Sequence, residues 1–194
     1  GSRISLALSL LVIAIGGGVG VILGTLTGYL GGRSDALVQR AVEAVLALPL
    51  ILVALSFVFT FGFSFWNVVF ILCPFVTARF ARIVRGETLS VRERDYVALA
   101  KVIGTPTHRI VLKHILPNVF NTVVVISTLE VGHIILVESS LSFLGVGIPP
   151  PNPAWGLMVA EGRQFITSAY WISLFPGLAI LATVLSLNLF GDWL

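Results

Sequence analysis

Long apolar tracts without a single charge restrict the fold of this chain more than any other feature. Residues 4–30 and 164–191 are two such tracts, and each exceeds the ~20 residues that a helix needs to span a bilayer. Charged residues make up only 11% of the 194 residues, whereas soluble domains carry about a quarter. This pattern excludes a soluble globular domain and predicts a membrane protein.

Apolar runs separated by turn residues predict an all-α transmembrane bundle that forms one domain over residues 1–194. The predicted spans are residues 4–30, 41–61, 65–84, 119–137 and 169–190. Basic residues cluster in the loop 85–117, so the positive-inside rule places this loop in the cytoplasm. Strict alternation then puts the segment 138–169 outside and the C-terminus in the cytoplasm. Short basic loops also account for the net charge of +3 without nucleic acid.

Glycines recur at every fourth position of the first predicted span. They are Gly16, Gly20, Gly24 and Gly28. This spacing gives one side of a helix a smooth surface that another backbone can approach closely. The sequence leaves two partners open for this surface, another helix of the same chain or a second subunit.

The loop 85–117 has the pattern of two short helices joined by a bend. One apolar face at helical spacing is made of Leu89, Tyr96, Ala100 and Ile103. The pattern stops at Gly104, which suits a left-handed residue after a helix; Thr105 is predicted to cap the next helix and Pro106 to begin it. That second helix should end near Ile115, before Pro117. An amphipathic pair of this kind could also lie in the lipid headgroups.

The segment 96–118, YVALAKVIGTPTHRIVLKHILPN, resembles the cytoplasmic loop of ABC importer permeases, in which EAA precedes a glycine and an Ile-x-Leu-Pro end. Ala100, Gly104, Leu116 and Pro117 match that motif, whereas Ala98 and His114 are among the positions that depart from it. In that family the loop docks on an ATPase subunit. The resemblance implies that coupling involves Ala98, Leu99, Ala100, Lys101, Gly104, Thr105, Pro106, Arg109 and Ile110.

A second segment, ESSLSFLGVGIPPPNPAWGLM at residues 138–158, resembles the outer segment of a permease type found in dipeptide, oligopeptide and nickel importers. Its prolines at 149, 150, 151 and 153 forbid a regular helix, so its backbone must be shielded by protein or line a cavity. We expect an irregular cap over a pore; the alternative is a rigid packing loop without substrate contact. That family has six spans, which implies a further span ahead of Gly1.

Glu130 and His133 lie one helical turn apart in the middle of the fourth predicted span. Ionisable groups are costly inside a membrane and suggest a functional role. The pair could line a pore and meet the polar groups of a substrate, or it could form an interhelical hydrogen bond. The sequence does not distinguish the two.

Other charges near the predicted spans are interpreted as structural. Arg79, Arg82 and Arg85 form a stripe that we expect to reach lipid phosphates from the inner end of the third span. Arg40 and Glu43, three residues apart, are expected to form an ion pair.

The resemblance implies a permease subunit of an ATP-driven importer of peptides, or of a related solute such as a nickel chelate, in a bacterial inner membrane. Its implied partners are a second permease, two ATPase subunits, which would bind ATP and Mg, and an extracytoplasmic substrate-binding protein. The sequence has no GxxxxGK[S/T] loop, no metal-spaced Cys/His cluster and no hydrolase motif. We therefore expect no catalytic residue, metal or cofactor in this chain.

A proton-coupled secondary transporter that works through Glu130 and His133 is the alternative. Such a carrier would have an inverted repeat and spans broken at the midplane. The sequence shows neither feature.

Overall fold

The computed structural model describes residues 1–193, and all regular structure in that range is helical. The all-α prediction is therefore confirmed. In chain order the helices are α1 (Ser2–Leu30), α2 (Gly32–Ala47), α3 (Leu50–Phe61), α4 (Phe65–Arg92), α5 (Asp95–Val102), α6 (Thr107–Phe143), α7 (Trp155–Gly162) and α8 (Trp171–Trp193).

Four helices, α1, α4, α6 and α8, are long and apolar enough to cross a membrane. Helices α2 and α3 would add a fifth span, but they are bent by 83° at the break between them. The prediction of one unbroken helix over residues 41–61 is therefore wrong. Leu48 is extended, because proline pushes the preceding residue out of the helical region. Pro49 is the N-cap of the new helix, which begins at Leu50. Pro49 was the sequence signal for this break.

Helices α1 and α4 approach each other closely along the glycine stripe. A Cβ on Gly20 would lie 2.5 Å from Cβ of Phe80 and 2.7 Å from the carbonyl oxygen of Thr77. A Cβ on Gly16, Gly24 or Gly28 would meet α4 in the same way. The stripe therefore faces another helix of the same chain. Thr77 adds a hydrogen bond from its Oγ1 to the carbonyl of Gly16, at 2.9 Å.

Two predicted helix ends are wrong. Helix α4 continues past residue 84 to Arg92, and α6 runs from Thr107 through Pro117 to Phe143 without a break. Pro117 lacks the N–H that a regular helix needs and crowds the carbonyl four residues earlier. A wider π-helical stretch, Val111–Ile115, lies in that turn and accommodates the proline, as such stretches do elsewhere.

The proline-rich segment 144–154 between α6 and α7 is irregular, as predicted. Val146 packs in a cluster with Ala54 and Val58 of α3, and Ile148 packs in a cluster with Leu8 of α1. The helices thus shield residues 146–148 and Ala154 of this segment, whereas residues 150–153 are exposed. The irregular part begins after Phe143 rather than at residue 138, because α6 is longer than predicted.

Candidate functional site

An ion pair joins α4 to α6 in the middle of the bundle. Nη1 of Arg79 lies 3.0 Å from Oε1 of Glu130. Each residue sits about 20 Å along its helix from the end that lies near the segment 144–154, which is Phe65 for α4 and Phe143 for α6. Glu130 is buried, whereas 39% of the Arg79 side chain is exposed. Each charge of the pair is therefore compensated by the other in the middle of the membrane-spanning helices, where a single charge would be costly.

His133 borders the same site without pairing with Glu130. It is exposed on α6 and lines a cavity of about 40 Å³ together with Arg79, Glu130, Leu50 and Phe75. The structure thus brings Glu130 to Arg79 in an interhelical bond and leaves His133 exposed beside them. Whether these side chains meet a substrate stays a prediction.

Arg79 was not recognised from the sequence as part of this site. We expected it to reach lipid phosphates, because the third span was predicted to end at residue 84. Since α4 runs on to Arg92, Arg79 lies in the middle of the helix and not at its end. Its guanidinium turns toward Glu130. Glu130, an acidic residue on another predicted span, was the sequence signal that could have indicated this role of Arg79.

The assignments of Arg85 and Arg40 also differ from the structure, whereas the lipid-anchor role of Arg82 stays a prediction. Arg85 forms an ion pair with Asp35 of α2, while Arg82 is exposed. Arg40 and Glu43 are both exposed, and among the ion pairs in the described part of the chain none joins these two. The expected Arg40–Glu43 pair is therefore wrong.

The bend between α5 and α6 has the backbone geometry that the sequence predicted. Gly104 has φ +78°, and two hydrogen bonds of 3.0 Å close the end of α5, from Thr105 N to Ala100 O and from Gly104 N to Lys101 O. These bonds are the Schellman pattern of a helix end. The next helix is preceded by Pro106 and not by Thr105, and its N-cap makes no side-chain hydrogen bond.

Helix α5 presents a different face from the predicted one. Val97 and Ala100 are buried in a cluster with Val84 and Val91 of α4, so Ala100 points inward. The outward face carries Leu99, Val102 and Ile103, which are 64%, 83% and 78% exposed; we call these three residues the α5 apolar face. The prediction failed because the chain is extended at Arg94, which separates Leu89 from α5.

The other predicted coupling residues surround the bend. Ala98, Lys101, Pro106 and Arg109 are exposed, Thr105 is half-buried and Ile110 is buried. The ammonium group of Lys101 lies over the ring of Tyr29, 5.3 Å from its centroid, which ties α5 to the end of α1. Their role in coupling stays a prediction.

Glu138 is a second buried acid that the sequence reasoning passed over as part of the outer motif. It is fully buried on α6, and its Oε1 accepts a hydrogen bond of 2.6 Å from Ser142. Helix α7 packs closely against the neighbouring residue, since a Cβ on Gly156 would lie 2.4 Å from Cα of Ser139. Among residues 1–193 no group of three or more His, Cys, Asp or Glu side chains could hold a metal ion.

Comparison with known proteins identifies the family. Residues 20–194 match the family described as "Binding-protein-dependent transport system inner membrane component". The glutathione transport system permease protein GsiD of Pectobacterium atrosepticum is 39% identical over the whole chain, which covers 64% of that protein. A Brucella suis protein named as a permease of a peptide transport system is 40% identical over the whole chain, which covers 65% of it.

Escherichia coli K12 DdpC, named as a permease of a D,D-dipeptide transport system, is 36% identical over 99% of the chain and 64% of its own length. The chain thus spans 64% to 65% of the length of these relatives.

These matches give no support to a proton-coupled carrier. The break between α2 and α3 is the one feature of such a carrier that we found in residues 1–193. With its apolar helices and this match over most of its length, the chain belongs to the family of inner membrane components of binding-protein-dependent transport systems.

Proposed function

We propose that this chain is a permease subunit of an ATP-driven importer for peptides or a related small solute. It would form half of a translocation pore with a second permease. Two ATPase subunits would bind ATP and Mg, and an extracytoplasmic protein would deliver the substrate. The observation that carries this proposal is the α5 apolar face, together with its rigid attachment to α1 and α4.

Three large apolar side chains in the α5 apolar face lie outside the candidate spans. Such a cluster on a polar loop is typical of a surface that binds another protein. Basic residues crowd the same loop, which supports a cytoplasmic position for it and for the C-terminal end of α8. The partner that fits is the ATPase subunit, as the loop motif implies.

The attachment of α5 supports a mechanical role. Its inner residues Val97 and Ala100 are buried against α4, and Lys101 contacts Tyr29 at the end of α1. Beyond the bend, α6 continues as one helix from Thr107 into the membrane and past Glu130. A displacement of α5 by an ATPase would therefore reach the Arg79–Glu130 pair through a continuous helix. Such rigid-body shifts are a common basis of switching between two states.

The names of the relatives support peptides as the substrate class. The three relatives are named for peptide, D,D-dipeptide and glutathione transport, and all of these substrates are peptides. The selection among them would rest largely with the extracytoplasmic binding protein.

The test is purification of the full-length chain with its partners. We expect two ATPase subunits and a second permease to co-purify with it. Val102→Asp places a charge in the α5 apolar face and should release the ATPase subunits while the second permease stays bound. Phe63→Asp is the matched control, because Phe63 is also an exposed apolar residue but lies in the connection before α4, at the end remote from α5.

Retention of both ATPases by the Val102→Asp variant would show that α5 is not the docking surface. A position of α5 in the lipid headgroups would then be the better account. Purification of the chain without any ATPase or second permease would contradict the proposed function itself.

A further inference from the structure

We propose that Arg79 and Glu130 form a charge pair that opens to bind both ends of a zwitterionic substrate. Arg79 would bind a carboxylate and Glu130 an ammonium group, as found together in a peptide with free termini. This inference rests on the proposed function, because it needs the pair to border the substrate path. It adds a binding site and the chemical class of its ligand.

The bond geometry of the pair leaves room for a ligand. Arg85 binds Asp35 through two nitrogen atoms, Nε and Nη2, and 28% of its side chain is exposed. In the described part of the chain Arg79 makes one such bond, from Nη1 to Glu130, and more of its side chain is exposed. An arginine side chain carries five N–H donors. Arg79 thus keeps donors for the bidentate binding of a carboxylate.

The surroundings indicate that the open side of the pair meets water or protein and not lipid. Arg79 is partly exposed and His133 is exposed, and both lie near the middle of their helices. Charged and polar groups at that depth face the bundle interior or a water-filled cavity. The small cavity beside them is lined by Arg79, Glu130 and His133. A solute in the pore would therefore meet these side chains directly.

A zwitterion suits this site better than a ligand with one charge. An anion that displaced Glu130 from Arg79 would leave the buried Glu130 without a counter-ion, and a cation that displaced Arg79 from Glu130 would leave the partly exposed Arg79 without one. Leaving one member of a buried ion pair alone is strongly unfavourable. A ligand that carries both charges replaces both partners at once, so neither side chain is left uncompensated. The pair would close again after the ligand has passed.

The experiment measures protection of position 133 in the complete transporter, reconstituted in proteoliposomes. Cys73 is replaced by Ala, His133 by Cys, and the labelling rate at position 133 with a water-soluble maleimide is followed by mass spectrometry. Alanyl-alanine is compared with its amide, with its N-acetyl form and with the form blocked at both ends. No binding protein is added, so its selectivity does not enter.

We expect alanyl-alanine to protect at a concentration about tenfold lower than any blocked form, the ratio that one hydrogen bond to a charged group provides. Arg79→Gln with Glu130→Gln should abolish this difference, while the control pair Asp35→Asn with Arg85→Gln should keep it. If the neutral pair abolishes assembly, the exchanged pair Arg79→Glu with Glu130→Arg serves instead and should restore preference for the free dipeptide.

The outcomes separate this inference from the proposed function. Two results would overturn the inference without contradicting a pore-lining position. One is labelling at position 133 on which the free dipeptide and its blocked forms have the same effect. The other is a preference for the free dipeptide that persists in the Arg79→Gln, Glu130→Gln variant. A complete absence of labelling in the assembled complex would show that this face does not border an aqueous path. That result would remove the pore-lining assignment as well.

Discussion

Arg85 donates two hydrogen bonds to Asp35, from Nε to Oδ1 at 2.5 Å and from Nη2 to Oδ2 at 2.7 Å, and so joins α4 to α2. Both side chains are largely shielded from solvent. Helix α2 has few buried side chains of its own, since Val42 is its one buried residue in the described structure. The ion pair is therefore a main attachment of α2 to the bundle.

Asp35→Asn should destabilise the purified protein because it weakens both charge-assisted bonds to Arg85. Hydrogen bonds to charged groups contribute about 1.5–3 kcal/mol each, and we expect a loss in that range, measured as a lower unfolding temperature in detergent. Arg40→Gln is the control, since Arg40 is exposed on the same helix and should leave the unfolding temperature unchanged. An equal effect of both variants would contradict the structural role of the pair.

Gly20→Ala should separate α1 from α4. The added Cβ would lie 2.5 Å from Cβ of Phe80 and 3.1 Å from the backbone nitrogen of Ala81, and backbone cannot move aside cheaply. Overpacking of this kind costs about 1–3 kcal/mol, so the yield and thermal stability of the complex should fall. Gly18→Ala is the matched control on the same helix, because its Cβ would meet no atom within 4 Å.

Gly104→Leu should impair coupling while the membrane helices remain folded. Gly104 has φ +78° and open space around its Cβ position, so the substitution costs only backbone strain, on the order of 1 kcal/mol or more. The angle between α5 and α6 would change as a result. We expect the complex to assemble and ATPase activity to persist, with substrate-driven uptake into vesicles lost.

Gly86→Leu is the control for this variant, because Gly86 lies in regular helix on α4 and also has open space. It should preserve both activities. Wild-type ATPase activity and uptake in the Gly104→Leu variant would show that the bend plays no part in coupling.

Glu130→Gln should leave the complex assembled and lower its transport rate. The amide oxygen can still accept the hydrogen bond that Arg79 donates at 3.0 Å to Glu130. Because 39% of the Arg79 side chain is exposed, its charge is not left fully buried, and the helices should stay together. The lost charge should reduce kcat/KM for uptake by about tenfold, the equivalent of about 1.4 kcal/mol. Unchanged uptake kinetics would assign Glu130 to a purely structural role. Glu130→Leu removes the acceptor altogether and should lower the yield of assembled complex.

The sequence by itself determined the features that depend on local chemistry and on hydrophobic length. Apolar tracts that are long enough to cross a bilayer strongly favour transmembrane helices. The turn at Gly104 requires a residue that accepts positive φ. The prolines of the segment 144–154 excluded a regular helix there. These properties belong to each segment alone, so no knowledge of neighbouring segments was needed.

Only the tertiary structure decided which side chains meet. Sequence spacing does not decide whether Arg79 contacts lipid phosphates or Glu130. The outcome depends on how α4 and α6 lie beside each other. The glycine stripe fits any close helix, and the structure places α4 there. The outward face of α5 follows from the burial of Val97 and Ala100 against α4. Contacts between segments distant in sequence arise from the packing of the whole bundle, which helical periodicity within one segment does not encode.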